Sequence, residues 1–86
     1  MNYEVIIPKP VQKQLKSFPD DVQTRLNEKI LLLTDEPRPS GVKKLQGYAN
    51  EYRLRVGDYR VRYEIDDQGS VVIILSCRHR KDAYKG

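Results

Sequence analysis

The stretch Arg53-Leu54-Arg55-Val56-Gly57-Asp58-Tyr59-Arg60-Val61-Arg62 leaves little freedom in how it folds. Charged and apolar residues alternate on both sides of a Gly-Asp pair. Strand side chains point to opposite faces in turn, so each half puts its arginines on one face and its apolar residues on the other. Gly57-Asp58 suits a two-residue hairpin loop. That loop sets Val56 opposite Tyr59, Arg55 opposite Arg60 and Arg53 opposite Arg62. Like charges directly opposite each other destabilise a hairpin, by about 1 kcal/mol for exposed groups roughly 5 Å apart in water. A small domain has little stability to spare. The stripe therefore needs relief, and two sources are open. Glu51 and Glu64 extend the same two parities and could neutralise it as a solvated face. Alternatively, phosphates from outside do so, since the planar, permanently charged arginine group binds phosphate oxygens in a bidentate manner.

The rest of the chain supplies layers for this hairpin. Residues 2–7, NYEVII, read as a strand rich in β-branched and aromatic types. Pro8 and Pro10 end it, and Pro10 suits the first turn of a helix. Val11, Leu15 and Phe18 then fall on one helical face. Pro19 breaks that helix and opens another, with Asp20 and Asp21 at its positive end. Val22, Leu26, Ile30 and Leu33 form the second apolar stripe, which Pro37 and Pro39 finish. The segment DEPRPSGV reads as loop, and KKLQGYAN is ambiguous, with Gly47 and Asn50 as turn signals. Strands follow at 51–56, 59–66 and 70–78, the last two joined by the turn DDQG. The last strand, VVIILSC, is apolar at both parities and so belongs inside the sheet.

The expected architecture is α+β and one domain over residues 1–86: β-α-α-β-β-β, an antiparallel sheet covered on one face by an N-terminal helical hairpin. Leu54, Val56, Tyr59, Val61, Tyr63 and Ile65 are expected to face the helices, leaving Arg53, Arg55, Arg60 and Arg62 on the bare face. Val71, Ile73, Leu75 and Cys77 are assigned to one face of the last strand. Ser76 and Arg78 are assigned to the other, beside the arginines.

The chain has 86 residues and a formal net charge of +4. All of the excess lies in residues 43–86, a one-sided basic balance that suits a polyanion or an acidic protein partner. A domain of this size buries roughly 60–65% of its extended-chain surface, a thin core. One cysteine rules out an internal disulfide, and one histidine with one cysteine argues against a zinc site. MNYEVII does not read as a signal peptide, and VVIILSC is far too short to span a bilayer, so a cytoplasmic location is expected and no membrane partner.

The C-terminal SCRHRKDAYKG sharpens the choice between the two sources of relief. Arg78, His79, Arg80 and Lys81 emerge together from the last strand, with Tyr84 close behind. RNA carries its own nucleophile, the 2′-hydroxyl. A site that cuts it must remove that proton, stabilise charge on the phosphorane and protonate the leaving 5′-oxygen. Arginine serves the second step, an imidazole the first or third, and an aromatic ring stacks on a splayed base. Each residue also has a plainer role open to it: His79 as a surface histidine, Tyr84 as a tail residue packing back, Cys77 as a small buried apolar group, and Lys43 and Lys44 as solvated loop.

With these residues in view, the chain resembles the RelE/ParE toxin superfamily, and its RelE-type ribonuclease branch in particular. The resemblance covers nearly the whole length. It rests on the element order and on KKLQGYANEYRLRVGDYRVRYEI followed by VVIILSCRHRKDAY. It implies a metal-independent endoribonuclease, without cofactors, that cuts mRNA in the ribosomal A site and leaves a 2′,3′-cyclic phosphate and a 5′-hydroxyl. It also implies a cognate antitoxin that wraps the toxin and represses the shared operon, so that operator DNA is reached only through the antitoxin. By position, Arg60 matches the family's phosphate-binding arginine. Arg78 matches the arginine that stabilises the transition state or assists the leaving group. Arg80 matches a second basic position, and Tyr84 the tyrosine that orients or stacks on the nucleotide. Arg53 and Arg55 fall where the best-known branch member carries two lysines. Arginine does not readily give up a proton, so His79 becomes the candidate general base, with Glu51 or Glu64 behind it. Arg53, Arg55, Arg62, Arg80, Lys81, Lys43 and Lys44 are the candidate RNA contacts. Two other activities stay open: a ParE-like gyrase inhibitor acting by binding, and a non-catalytic RNA-binding module.

Overall fold

Prolines divide the N-terminal half into its elements in the computed structural model, which describes residues 2–39, 42–44 and 50–83. A short strand, β1 (Glu4–Ile6), ends before Pro8, whose extended backbone caps α1 (Lys9–Lys16). Pro10 sits in the first turn of α1, where its missing N–H leaves nothing unpaired. Val11 and Leu15 are its buried residues. Pro19 caps α2 (Asp20–Leu32), with Asp20 and Asp21 in the first turn and Lys29 in the last, each complementing the helix dipole. Leu26, Ile30 and, just past the helix end, Leu33 have no solvent exposure.

The C-terminal half contributes β2 (Lys43–Lys44), β3 (Glu51–Val56), β4 (Tyr59–Asp66), β5 (Val71–His79) and a short α3 (Arg80–Ala83). The five strands form one sheet in the order β1-β5-β4-β3-β2. α1 lies against β5 and α2 reaches β3, and one core cluster holds residues of both helices and of β3, β4 and β5. The other face of the sheet carries the arginines. This is the expected α+β fold, with one difference of pairing. β1 joins β5 in parallel, so the sheet is mixed. The long run from Pro8 to Ser70 provides the crossover that a parallel pair requires. β2 is an edge pair that the ambiguous KKLQGYAN left unassigned; residues 45–49 of that segment, with Gly47 and Tyr48, lie outside the described residues. Among the described residues, no helix is long and apolar enough to cross a membrane.

The hairpin has the register read from its sequence: Val56 opposite Tyr59, Arg55 opposite Arg60, Arg53 opposite Arg62. Gly57 has φ +59°, and Asp58 does not share the positive φ. A positive φ at the first loop position alone is the type II′ pattern, which favours glycine there.

The facing of β5 corrects one expectation. Val72 and Ile74, not Val71 and Ile73, are fully buried under the helices, while Cys77 is buried as expected. The register explains the change. Tyr63 pairs with Ile74, but the next residue, Arg62, pairs with Ser76. Leu75 is the extra residue of a β-bulge, and it reverses the alternation between the two halves of β5. Without it, Arg78 would sit opposite Tyr59 and point at the helices. With it, Arg78 sits opposite Arg60. Gln14 of α1 accepts the Cys77 N–H just beyond the bulge at 3.0 Å.

Far from the hairpin tip, a polar latch ties the loop after α2 to the sheet. Arg38 donates to both Asp67 oxygens, at 3.2 and 2.8 Å, and from Nε to the Tyr52 hydroxyl at 3.0 Å. The Tyr3 hydroxyl donates to Asp67 at 2.8 Å. The Arg38 guanidinium first, and the Tyr3 hydroxyl second, hold the Asp67 carboxyl below its ordinary range. A lowered folded pKa adds stability that is present above the unfolded value and lost as pH falls through the folded one. Urea midpoints followed from about pH 5 to about pH 2 should therefore fall less steeply in Asp67→Asn than in the parent. Equal slopes would show that the latch contributes nothing.

Candidate nucleic-acid interface

Strand pairing alone builds the basic face. Arg55, Arg60 and Arg78 are direct cross-strand neighbours on β3, β4 and β5, one continuous row across three strands. The adjacent row runs Lys43, Arg53, Arg62, Ser76. Beyond it, Glu51 lies opposite Glu64. Neighbouring strands are roughly 4.8 Å apart, so the row spans about 10 Å, within which long arginine side chains can converge on one phosphodiester group.

Among the described residues, two grooves open on this face. One, of about 160 Å³, is lined by Lys43, Arg53, Arg55 and Arg60. The other, of about 210 Å³, is lined by Arg55, Gly57, Arg60 and Arg80 at the hairpin tip. Arg55 and Arg60 belong to both. The Arg55 Nε donates to the Gly57 carbonyl at 3.2 Å, which directs its guanidinium toward the tip. The Arg80 backbone N–H donates to the Asp58 carbonyl at 2.7 Å, and its side chain stands 4.0 Å from the Asp58 carboxylate. Both charged groups of that pair are more than half exposed, so it holds Arg80 weakly.

Among the described residues, Glu51 partly neutralises the outer row. Arg62 donates from Nη2 and Nε to one Glu51 oxygen, at 2.7 and 3.1 Å. Arg55, Arg60 and Arg78 bring three guanidinium-bearing positions side by side on this face.

Other sequence-derived candidates fall elsewhere. His79 lies opposite Tyr59, one residue out of phase with Arg78, and so on the helix face. Its ring stands edge-on to Tyr59 at 5.1 Å, and Tyr59 in turn meets Phe18 at 4.9 Å. Its Nδ1 accepts the Lys81 N–H at 3.2 Å. His79 is therefore not beside the arginine row. The alternation that puts Arg78 on the row turns His79 away from it. Of the reserve candidates, Glu51 is engaged by Arg62, and Glu64 lies four residues along β4 from Arg60, about 13 Å and beyond hydrogen-bond reach. Lys43 lines the groove, whereas Lys44 pairs with Tyr52 and has the opposite parity. Lys81 is exposed on α3. Tyr84 lies outside the described residues. Cys77 is buried, and burial pushes its thiol up to about 12, which suits an inert core group and not a nucleophile. Sequence reasoning missed Gln14, which closes the N–H beyond the bulge from 63 residues away. No local pattern around Gln14 signals that role.

Three guanidinium groups in a row, held by a rigid sheet, can bind a phosphate and stabilise a phosphorus centre gaining negative charge. A family model described as the ParE toxin of type II toxin–antitoxin systems matches residues 5–84. Toxin RelE3 of Methanocaldococcus jannaschii is 34% identical over 89 residues, covering 94% of each chain. A chain of the archaeal RelE–RelB complex from Pyrococcus horikoshii has the same fold with a TM-score of 0.83 and 39% identity, over 93% of this chain and 97% of that one. A chain of the RelBE2 toxin–antitoxin complex from Mycobacterium tuberculosis follows at 0.82 and 29%, over 93% and 100%. A match running through nearly every element, with relatives that are themselves RelE toxins, leads to one conclusion: this chain belongs to the RelE/ParE superfamily and is a RelE-like toxin of a toxin–antitoxin pair.

Proposed function

We propose that the toxin is an endoribonuclease that cuts mRNA in the ribosomal A site, with the scissile phosphate on the row Arg55, Arg60 and Arg78. The observation that carries this reading is the row itself, assembled by a hairpin register and a β-bulge onto one face. In the reaction, the 2′-hydroxyl loses its proton to solvent and its oxygen bonds to phosphorus. The bond from phosphorus to the 5′-oxygen then breaks, and that oxygen takes up a proton. The products are a 2′,3′-cyclic phosphate and a 5′-hydroxyl. With no base beside the row among the described residues, charge stabilisation on the phosphorane provides most of the acceleration. Arg60, central in the row and lining both grooves, binds the phosphate. Arg78, at the end of the row, faces the leaving oxygen, and Tyr84 stacks on the nucleotide. Arg53, Arg62, Arg80, Lys81 and Lys43 hold the flanking backbone.

A cognate antitoxin covers this face in the resting state. The relatives solved as RelE–RelB and RelBE2 complexes support that partner. The ParE description of the matching family model favours a second reading, inhibition of gyrase by binding. One experiment separates the two. After a brief expression pulse, 5′-ends of cellular RNA are mapped while DNA breaks are scored. Discrete cuts inside reading frames, bearing 5′-hydroxyls, are the expected result. DNA damage without such cuts would replace the nuclease reading with gyrase inhibition.

A further inference from the structure

β1 stops at Ile6, which pairs with Ile73, so among the described residues no strand lies beside the last part of β5. The end of α1 overhangs that position instead. Beneath it is a cavity of about 220 Å³ lined by Gln14, Ser17, Phe18, Cys77 and Arg78. Arg78 belongs to this cavity and, through its pairing with Arg60, to the phosphate row on the other side of the β5 edge.

We propose that this cavity is a base-recognition pocket, taking the base of a nucleotide next to the cut and setting sequence preference; the proposal rests on the nuclease reading above. Three features favour a base. The volume falls below the roughly 300–1,000 Å³ of sites for drug-sized ligands, which suits a single ring system. Phe18 offers an aromatic surface, its ring braced by Tyr59 at 4.9 Å. The polar groups also have fixed roles. Gln14 Oε1 is occupied by the Cys77 N–H at 3.0 Å, so the groups this cavity-lining residue has left to offer a ligand are its amide N–H donors. The Ser17 hydroxyl donates to the Gln14 carbonyl at 2.6 Å, so its oxygen is left as an acceptor. A donor and an acceptor beside an aromatic ring match the hydrogen-bonding edge of an unstacked base. A purely apolar side chain from a protein partner would offer nothing to the Gln14 donors. Reach is also right. The open position beside β5 lies two strand spacings from β4, about 10 Å, so a base adjacent to a phosphate on Arg60 and Arg78 can turn over the edge into it.

Gln14→Glu tests this pocket. Glutamate still accepts the Cys77 N–H, so the bulge keeps its partner, but the group left to offer a ligand changes from donor to acceptor. Ser17→Ala removes the acceptor at an exposed position. Cuts made by the parent and both variants are mapped by 5′-end sequencing after an expression pulse, and thermal melts confirm folding. The readout is the ratio between bases at each position flanking the cuts, so overall rate does not enter. The parent should favour one base at one flanking position. Gln14→Glu should flatten or redirect that preference by about fivefold, the worth of one hydrogen bond, with other positions unchanged. Folded variants that cut with the parental profile would overturn the pocket while leaving the nuclease intact, as would variants with that profile that lose a co-expressed antitoxin, which would assign the cavity to a partner side chain. A parent that makes no cuts would overturn the nuclease reading, and the pocket with it.

Discussion

Arg60→Ala and Arg78→Ala are each expected to fold as the parent does and to abolish growth inhibition. Removing one preorganised donor from a developing negative charge typically costs roughly 10²–10³ in rate, and each of these arginines is a third of the inner row. The fold should tolerate both changes. Arg78 is exposed and Arg60 half-buried, and neither belongs to the core cluster. Arg78→Ala also removes a like-charge contact across the strand pair, an effect of a few tenths to about 1 kcal/mol. Arg62→Ala provides the contrast. Its guanidinium sits in the outer row and is engaged by Glu51, so the loss of toxicity should be far smaller. Growth after induction, mapped RNA ends and thermal melts together decide the matter. If Arg60→Ala and Arg78→Ala, both folded, remained as toxic as the parent, the phosphate would have to be placed elsewhere.

What could be read from the sequence follows from how much each residue pattern restricts register. The hairpin from Arg53 to Arg62 was fully legible, because strict alternation around Gly57-Asp58 admits one pairing. The prolines likewise marked both helix starts. The strand VVIILSC was not legible in the same way. Apolar residues at both parities carry no register, so the bulge at Leu75 left no trace in the pattern, and Val72 and Ile74 were assigned to the wrong face. Arg78 was nevertheless assigned to the side it occupies, because Cys77 and Arg78 lie past the bulge, where the parity of the expected assignment coincides with the observed one. His79 shows the limit of composition as evidence. An imidazole between two arginines has the right chemistry, but adjacency in a strand places it on the opposite face. The Arg38 latch and the Gln14 contact join residues far apart in the chain, and only the assembled sheet brings them together.

The largest effect on stability is expected at Tyr63, in the middle strand of the sheet. Its ring has no solvent exposure and stacks on Tyr52 with centroids 6.0 Å apart. Its hydroxyl donates to the Pro37 carbonyl at 2.8 Å. Tyr63→Ala removes the largest fully buried side chain, a change that costs about 3–5 kcal/mol, against a total of roughly 4–13 kcal/mol for a chain of this length. Much of that variant should be unfolded near body temperature. Tyr63→Phe isolates the hydroxyl. It keeps the packing but leaves the Pro37 carbonyl buried without its donor, about 1–3 kcal/mol. Burial raises the Tyr63 hydroxyl above its ordinary value. An acid whose folded pKa is raised loses stability as pH climbs past the unfolded value, because the unfolded chain ionises first. The parent's urea midpoint should therefore fall steeply above about pH 10, and Tyr63→Phe should lack that part of the slope. The same contact has a functional consequence. Pro37 and Arg38 lead the chain toward β2, where Lys43 lines the arginine groove. Loosening Pro37 in Tyr63→Phe should therefore weaken RNA contacts at Lys43 while Arg60 and Arg78 stay in place, giving partial toxicity from a folded protein. Full toxicity together with an unchanged alkaline slope would mean that the hydroxyl does no more than occupy space.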